Sequence, residues 1–492
     1  MKILLPEKEN IMTSTLHNDT ICAVSTPAGV GGIAVIRVSG PLAQKAVLPF
    51  LNGGTMTALV SHRATFVTFD ASDRMLDEVV VTLYAAPHSY TGEEVVEVAC
   101  HGSLYVQQAI LQALVNAGLR LAEPGEFTRR AFLNGRLDLS QAEAVADLID
   151  STNAASHQLA VSQLRGGYSL ELSQLRTRFV ELMSLLELEL DFSDEEVEFA
   201  DRAHLRQLTD ELLSKVTSLC DSFSIGNAIK QGVPVAIVGR PNVGKSTLLN
   251  ALLHADRAIV SDRPGTTRDT IEDSITIGGI KFRFVDTAGM RHSDDTIEKE
   301  GIRRGIRAAE EAQIILYLVE ASQDIEEAQR EIDSFRQMVN MESKHLLLVF
   351  NKVDLCADQK SAADSPSFSI AMHEVSNVEN TPSIATLRSA SVYAISAKMG
   401  QGIEDISRQL VRLVKEQMPQ DSTMVSNVRH YEALKHVREA LTHVQEGLAR
   451  QLPADLVVID LREALHYLGQ ITGQVSSDEV LGAIFSRFCI GK

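Results

Sequence analysis

The chain has 492 residues, 45% of them hydrophobic, a formal net charge of −19, and five cysteines. That length calls for two to four domains. The acidic balance excludes a large surface that grips nucleic acid through its phosphates, so any RNA contact falls to a local patch or a partner. The dispersed, odd cysteines Cys22, Cys100, Cys220, Cys356 and Cys489 exclude a disulfide framework and a zinc site and fit a reducing, cytoplasmic setting. No apolar run is long enough to span a membrane.

In chain order, residues 1–17 read as a polar, flexible extension without the basic and apolar segments of a secretory signal, and Met12 is a second candidate start. Residues 18–136 read as a strand-rich α+β domain. Strands are expected at Thr20–Thr26, Gly32–Val38, Ala64–Phe69 and Leu76–Leu83, with a helix at Ser103–Ala117. Three polar signatures, Ser89–Glu94, His101-Gly102-Ser103 and Pro124–Arg130, read as turn chemistry. Residues 137–230 are helical. Ser140 and Glu143 stand as a capping box for a helix through Asp150, one amphipathic stretch runs from His157 to Asp191, and Ser193 with Glu196 makes a second box.

Residues 231–415 carry nucleotide chemistry. Val235–Val238 suits a strand buried on both faces, Gly239–Ser246 fits G-x-x-x-x-G-K-[ST], and Ser246–Ala255 has a helical apolar face. Strand, glycine-rich loop and helix N-terminus together bind phosphate, with the backbone of Asn242, Val243, Gly244, Lys245, Ser246 and Thr247 around it. Lys245 reaches the β- and γ-phosphates, and the Ser246 hydroxyl meets Mg²⁺.

After Ala258-Ile259-Val260 comes Gly265-Thr266-Thr267-Arg268-Asp269, where a threonine places its hydroxyl on Mg²⁺ and its N–H on the γ-phosphate. The strand Lys281–Val285 delivers Asp286-Thr287-Ala288-Gly289, with Asp286 placed to hold the metal. The apolar Leu346–Phe350 leads to Asn351-Lys352-Val353-Asp354, whose Asp354 carboxylate accepts from guanine N1 and N2. Adenine lacks that donor pair. Ser396-Ala397-Lys398 follows Val392–Ile395 and offers a backbone N–H to guanine O6. Five motifs in order, each after an expected strand, make this a GTP-binding domain. Met290 stands where Ras-like proteins carry the water-orienting glutamine, and the acidic stretch His292–Glu300 reads from composition as a solvated helix start.

Residues 416–492 return to helices at Asn427–Leu452, Asp455–Thr472 and Ser477–Phe488, which suggests one helical domain built from two chain segments. The terminal Phe488-Cys489-Ile490-Gly491-Lys492 reads as a frayed end.

From Asp19 to Lys492 the chain resembles the MnmE (TrmE) family of tRNA-modification GTPases. The resemblance lies in Gly31-Gly32 with Arg37, Tyr90-Thr91-Gly92-Glu93, His101-Gly102, Pro124–Phe127, Asn134–Leu139 and the terminal Phe-Cys-Ile-Gly-Lys. It implies a multidomain α+β and α/β protein: an N-terminal folate-binding and dimerisation domain, a discontinuous helical domain, and an inserted Ras-like P-loop domain. It also implies a homodimer working with the FAD-dependent MnmG (GidA) in a heterotetramer, with tRNA bound mainly by that partner and FAD and NADH on the partner only. The reaction implied places an aminomethyl or carboxymethylaminomethyl group at C5 of a wobble uridine, with 5-formyl- or 5,10-methylenetetrahydrofolate as one-carbon source.

Residue by residue, the resemblance assigns folate contacts to Arg37, Glu97, Arg136 and Lys492, with Arg136 where many relatives have lysine. It assigns K⁺ to Asn242, Ser261, the Arg263 carbonyl and Thr266, and Mg²⁺ to Ser246 and Thr267, with Asp286 behind them. Catalysis falls to Lys245, Thr267 and Glu298, the last orienting water. Two G domains are expected to meet across the nucleotide face, with K⁺ replacing an arginine finger. Cys489 is either a reactive thiol or a small hydrophobe. The Ser/Ala-rich stretch between Asp354 and Ser396 is expected to form an extra surface loop. Two other readings stand: a ribosome-assembly switch of the Era/Der kind, which calls for a basic RNA-binding module, and a nucleotide-regulated scaffold, which predicts no folate binding.

Overall fold

The computed structural model describes residues 19–71, 74–191, 202–256, 274–285, 298–342, 344–355, 391–417, 423–486 and 488–491. The chain divides into two compact units. The first comprises residues 1–146, 164–173 and 466–492, and the second residues 147–163 and 174–465.

The first unit is built on a six-stranded sheet of β1 (Ile21–Val24), β2 (Ile33–Ser39), β3 (Ala64–Ala71), β4 (Arg74–Tyr84), β5 (Val95–His101) and β6 (Arg120–Leu121), in the order β3-β4-β5-β2-β1-β6. All pairs are antiparallel except β1 with β6. Strict alternation builds it: Val96, Val98 and Cys100 turn inward, while Glu97, Ala99 and His101 face away. The inward face packs on helix Leu104–Asn116 through the fully buried Ile110 and Leu114. Each such side chain contributes about 1.5–3 kcal/mol through burial.

Four expectations are corrected here. Pro124–Arg130 is more than a turn, because Gly125 (φ 68°) opens helix Glu126–Leu133. A Cβ there would strike the Phe485 carbonyl, so the glycine permits both the backbone conformation and a close approach. The capping box of helix Leu139–Asp150 uses other residues. Asp138 Oδ1 accepts from the Gln141 N–H at 2.8 Å and Gln141 Oε1 accepts from the Asp138 N–H at 3.0 Å, while Ser140 already lies inside the helix. The stretch after His157 is two helices, Ala154–Leu164 and Gly167–Asp191, parted at Gly166 with φ 85°. Residues 488–491 are not frayed. Phe488 is buried, Ile490 bridges to Pro124, and Ser25 Oγ donates to the Gly491 carbonyl at 3.0 Å. The proposed Ser193–Glu196 box lies outside the described residues.

The second unit holds another six-stranded sheet: β7 (Val233–Gly239), β8 (Ser274–Ile277), β9 (Ile280–Phe284), β10 (Ile314–Glu320), β11 (His345–Asn351) and β12 (Ser391–Ala394), in the order β12-β11-β10-β7-β9-β8. It is parallel apart from the edge strand β8. The β10 sequence IILYLVE is almost continuously buried, as a strand covered on both faces must be. Helices Lys245–Asp256 and Ile403–Gln417 cover one face with Leu248, Leu252, Ile406 and Leu410. Helices Glu298–Glu311 and Ile325–Met338 cover the other with Ala309, Ile332 and Phe335.

Beside this sheet, helices Arg202–Gln231 and Val428–Ala449 pack lengthwise. Gly226 lies so close to the Val425 carbonyl that no Cβ fits, and Phe223 stacks on Tyr431 at 4.3 Å. Asn427 caps the second helix by accepting from the Arg429 N–H at 3.0 Å. No helix among the described residues is long and apolar enough to cross a membrane.

Candidate functional site

Two groupings of side chains have the chemistry of sites, one in each unit. In the second unit, β7 ends at Gly239, and the chain loops through 240–244 before helix Lys245–Asp256 begins. Three residues take positive φ: Gly239 at 149°, Asn242 at 60° and Gly244 at 103°. A Cβ at Gly239 would meet the Leu318 carbonyl of β10, and one at Gly244 the Asn351 amide, so neither glycine admits a side chain. Asn242 holds the left-handed conformation with a side chain, which asparagine tolerates better than most residues. Val243 is buried and anchors the loop to the sheet core.

The Lys245 ammonium turns back along the loop and donates to the Gly239 carbonyl at 2.8 Å and the Arg240 carbonyl at 2.7 Å. Burial pushes it below the ordinary lysine range. Arg240 itself pairs with Glu327 (2.7 Å) and Glu331 on helix Ile325–Met338, tying the loop to its neighbour. Ser246 is half-buried on the first helical turn and Thr247 is exposed. Ser246 has the hard oxygen that Mg²⁺ prefers.

Beyond the carboxyl ends of β11 and β12 the base-recognition residues converge. Asn351 is buried and bridges two loops: its Nδ2 donates to the Val243 carbonyl at 2.8 Å, and its Oδ1 accepts from the Ala397 N–H at 3.0 Å. Ser396 Oγ donates to Asp354 Oδ1 at 2.6 Å and accepts from the Met399 N–H at 3.2 Å. Asp354 is half-buried and Lys398 exposed. Lys352, at φ 67°, reaches Glu320 at 2.9 Å. One asparagine thus ties the phosphate loop to the two segments expected around the base.

Ser261, Arg263, Thr266, Thr267, Asp286, Thr287, Ala288, Gly289 and Met290 lie outside the described residues, as does the insert from Cys356 to Ala390. Glu298 is the first residue of helix Glu298–Glu311, and its side chain also lies outside the description.

In the first unit, Arg37 and Glu97 sit directly opposite on β2 and β5 and form an ion pair at 2.8 Å, both partly open to solvent. The guanidinium lies 5.1 Å from the Tyr90 ring centre and 5.6 Å from that of Phe127. Tyr90 OH hydrogen-bonds Thr128 at 2.8 Å. Burial, followed by the Glu97 carboxylate, pushes the Tyr84 phenol up. Arg136 is exposed, with its stem over Gly92 of the same Tyr90–Glu93 turn, and Asn134 Nδ2 donates to the Thr91 carbonyl at 2.8 Å. The C-terminal tail runs alongside. Gly125 N donates to the Cys489 carbonyl at 3.5 Å, and Gly491 (φ 97°) presses on the Val24 carbonyl. Cys489 is an exposed free thiol, and Lys492 lies outside the described residues.

A family model described as "GTP-binding protein TrmE N-terminus" matches residues 20–136, and one described as "MnmE helical domain" matches residues 139–489. A protein of Parabacteroides distasonis named "tRNA modification GTPase MnmE" is 46% identical over 485 residues, covering 96% of this chain and all of that one. One of the same name from Porphyromonas gingivalis is 47% identical over 489 residues, covering 97% and 100%. This chain belongs to the MnmE family. Among solved structures, the FeoB G-domain of Methanococcus jannaschii is 24% identical over 37% of this chain and 96% of its own, with a TM-score of 0.22, a likeness too slight to bear on this family member.

Sequence reasoning missed that Tyr90 and Phe127 flank the Arg37 guanidinium, with Thr128 on the Tyr90 hydroxyl and Tyr84 on Glu97. It also missed the charge network beneath. Arg130 binds Asp19 (2.7 Å), Glu126 (3.0 Å) and Glu93 (3.2 Å), and Arg120 binds Glu126 (2.6 Å) and Asp19 (2.7 Å). Burial opposes the Glu126 carboxylate, but Arg120, the Glu123 N–H and Arg130 outweigh it, so the carboxyl lies below the ordinary glutamate range. Asp19 is lowered in the same way, its burial outweighed by Arg120 and Arg130. Arg129-Arg130 inside a stretch read as a turn was the only sequence signal.

Proposed function

We propose that this MnmE-family chain binds and hydrolyses GTP and serves tRNA modification at the wobble uridine, with a tetrahydrofolate derivative as one-carbon source. The domain plan that goes with this is an N-terminal folate-binding domain (18–136), a helical domain in two segments (137–230 and 416–492), and an inserted G domain (231–415). The observation that carries the nucleotide half is Asn351, held between the Val243 carbonyl and the Ala397 N–H. It fixes the phosphate loop and the base-recognition segments as one body, and Asp354 beside it supplies the acceptor pair that guanine requires.

In this reading Lys245 leaves its two loop carbonyls for the β- and γ-phosphates. The desolvation that lowers its pKa strengthens that charge–charge contact. The main-chain N–H groups of 242–247 hold the phosphate oxygens through the helix N-terminus. Ser246 and Thr267, with Asp286 behind them, would hold Mg²⁺, which would supply charge against the phosphates. Asn242, Ser261, the Arg263 carbonyl and Thr266 would hold K⁺, which would supply positive charge beside the phosphates when two G domains meet, and Glu298 would orient the water. Arg37, Glu97, Arg136 and Lys492 are the folate contacts. The paired carboxylate and guanidinium beside Tyr90 and Phe127 suit a flat, hydrogen-bonding heterocycle. The homodimer and the flavin-dependent MnmG partner belong to the same proposal.

The test is calorimetry of the full-length chain with GDP and, separately, with 5-formyltetrahydrofolate, followed by hydrolysis in K⁺ and in Na⁺. Binding of both ligands and sharply slower hydrolysis in Na⁺ is the expected result. GDP binding without folate binding would favour the scaffold reading, and equal rates in both salts would remove K⁺ from the mechanism.

A further inference from the structure

The turn between β8 and β9, Gly278-Gly279, carries none of the nucleotide motifs, yet it is held tightly. Both glycines take positive φ, 57° and 81°. A Cβ on Gly278 would press on Val411 at 3.0 Å, and one on Gly279 on the Ala154 Cβ at 3.1 Å. The Gly279 carbonyl accepts from the Ala155 N–H at 3.0 Å. Ala155 stands in the first turn of helix Ala154–Leu164, where N–H groups have no partner within the helix. Asn153 caps this helix through the Ser156 N–H at 2.9 Å, and the Ala155 donor goes to the hairpin. Ala155 also packs against the hydrophobic core of the nucleotide sheet.

The other end of the same helix is anchored too. The Gln163 amide is buried and donates to the Met424 carbonyl and to Ser426 Oγ, both at 3.1 Å. Those residues belong to the return segment that follows the last helix of the nucleotide sheet. Ser222 Oγ accepts from the Val425 N–H at 3.1 Å, and Gly226 lies flush on the Val425 carbonyl. An 11-residue helix, about 16 Å long at 1.5 Å per residue, thus has one end on the hairpin and the other on the exit of the sheet.

The hairpin's place in the chain gives this strut a purpose. β8 follows the Gly265–Asp269 motif, and β9, paired with β7 from Val233 to Val235, runs directly into Asp286–Gly289. Any rearrangement of those two phosphate-reading motifs pulls on the turn that joins their strands. We infer that the Gly279 carbonyl–Ala155 N–H contact transmits nucleotide state from the β8–β9 hairpin to the Ala154–Leu164 helix, so that this helix is the output element of the G domain. The inference rests on the guanine-nucleotide reading and adds to it a place where hydrolysis leaves the sheet. A contact of this kind needs an element with two arrangements, and the hydrogen bond at a helix N-terminus can be made or broken without unfolding the helix.

Hydrogen exchange of the full-length chain tests it. Peptides covering 153–163 are followed with GDP and with GDP plus aluminium fluoride in K⁺, and nucleotide binding is measured on the same samples with a fluorescent GDP analogue. The expected result is about a tenfold or larger change in exchange of these peptides between the two states. Ala155→Pro removes the donor at a first-turn position that accepts proline and should abolish that change while leaving nucleotide affinity within about twofold. Gly279→Ala, strained at φ 81° and crowded by Ala154, should do the same if the proline variant does not fold. Equal exchange in both states with nucleotide bound overturns the inference alone, as does a change that survives both variants. Failure of the wild-type chain to bind the fluorescent nucleotide overturns the inference together with the reading beneath it.

Discussion

The two sites are built in opposite ways. The phosphate loop is local: Gly239, Asn242 and Gly244 shape it within a few consecutive residues, and only the Asn351 bridge, 108 positions from Val243, ties it to motifs elsewhere on the same sheet. The Arg37–Glu97 site is assembled from far along the chain. The paired residues stand 60 positions apart, Tyr90 and Phe127 come from two other segments, and the tail reaches Ser25 across 466 positions. A local site survives changes elsewhere and fails through its own few residues. A dispersed one is exposed to every segment that composes it.

The sharpest break is at the cradle. Asp354→Asn exchanges an acceptor for a donor opposite guanine N1 and N2. GDP affinity should fall at least ~100-fold, with xanthosine diphosphate gaining, because a site built to hydrogen-bond its ligand rejects one that leaves it unpaired. Titration with both nucleotides checks this. Glu298→Ala should lower turnover by about 10²–10⁴-fold, the range for a lost proton-handling or water-positioning group, with GTP affinity intact. Single-turnover hydrolysis beside equilibrium binding reads both, and retained turnover would reassign the water-orienting role.

At the dispersed site the effects should be smaller and come from more places. Arg37→Ala removes a charged partner of Glu97 and should weaken 5-formyltetrahydrofolate by about 10–100-fold, matching the ~1.5–3 kcal/mol of a charged hydrogen bond, with GDP binding unchanged. Gly491→Ala, remote in the chain from Arg37 and Glu97, should also weaken folate, because φ 97° and the Val24 carbonyl leave no room for a methyl group. Calorimetry with each ligand separates the sites. A Gly491→Ala chain with normal folate binding would detach the tail from the pocket.

The smallest effect concerns pH. Glu126 and Asp19 have folded-state pKa values below their ordinary ones, so their contribution to stability is complete above the unfolded-state values. It is lost as pH falls through the lowered ones. Acid unfolding of the first unit should therefore occur at a higher pH in Glu126→Gln than in the wild type, followed by fluorescence or circular dichroism. An unchanged acid midpoint would show that the network contributes no pH-linked stability.

The difference in construction also explains what was legible in the sequence. β7 and β11 follow from apolar runs, and the cradle from spacing, because a phosphate loop is specified by consecutive residues. β5 and helix Glu126–Leu133 were not foreseen. The first is interrupted by the charged Glu97, and the second follows Pro124-Gly125 and carries two adjacent arginines that look like a turn until Asp19, Glu93 and Glu126 are brought to them. The capping box was misplaced by two residues because Ser140 and Glu143 match the motif as well as Asp138 and Gln141 do. Only the backbone decides between them. The docking of residues 488–491 had no local signature at all, since Pro124, Gly125, Val24 and Ser25 are its determinants.

The central claim is that one chain carries two separable sites, a guanine-nucleotide cradle and a folate pocket. The most direct test is calorimetric titration of the same preparation with GDP and with 5-formyltetrahydrofolate, in the wild type, Asp354→Asn and Arg37→Ala. The account predicts that each ligand binds the wild type, that Asp354→Asn weakens GDP alone, and that Arg37→Ala weakens folate alone. Absence of folate heat in the wild type, or loss of both ligands in either variant, would contradict it.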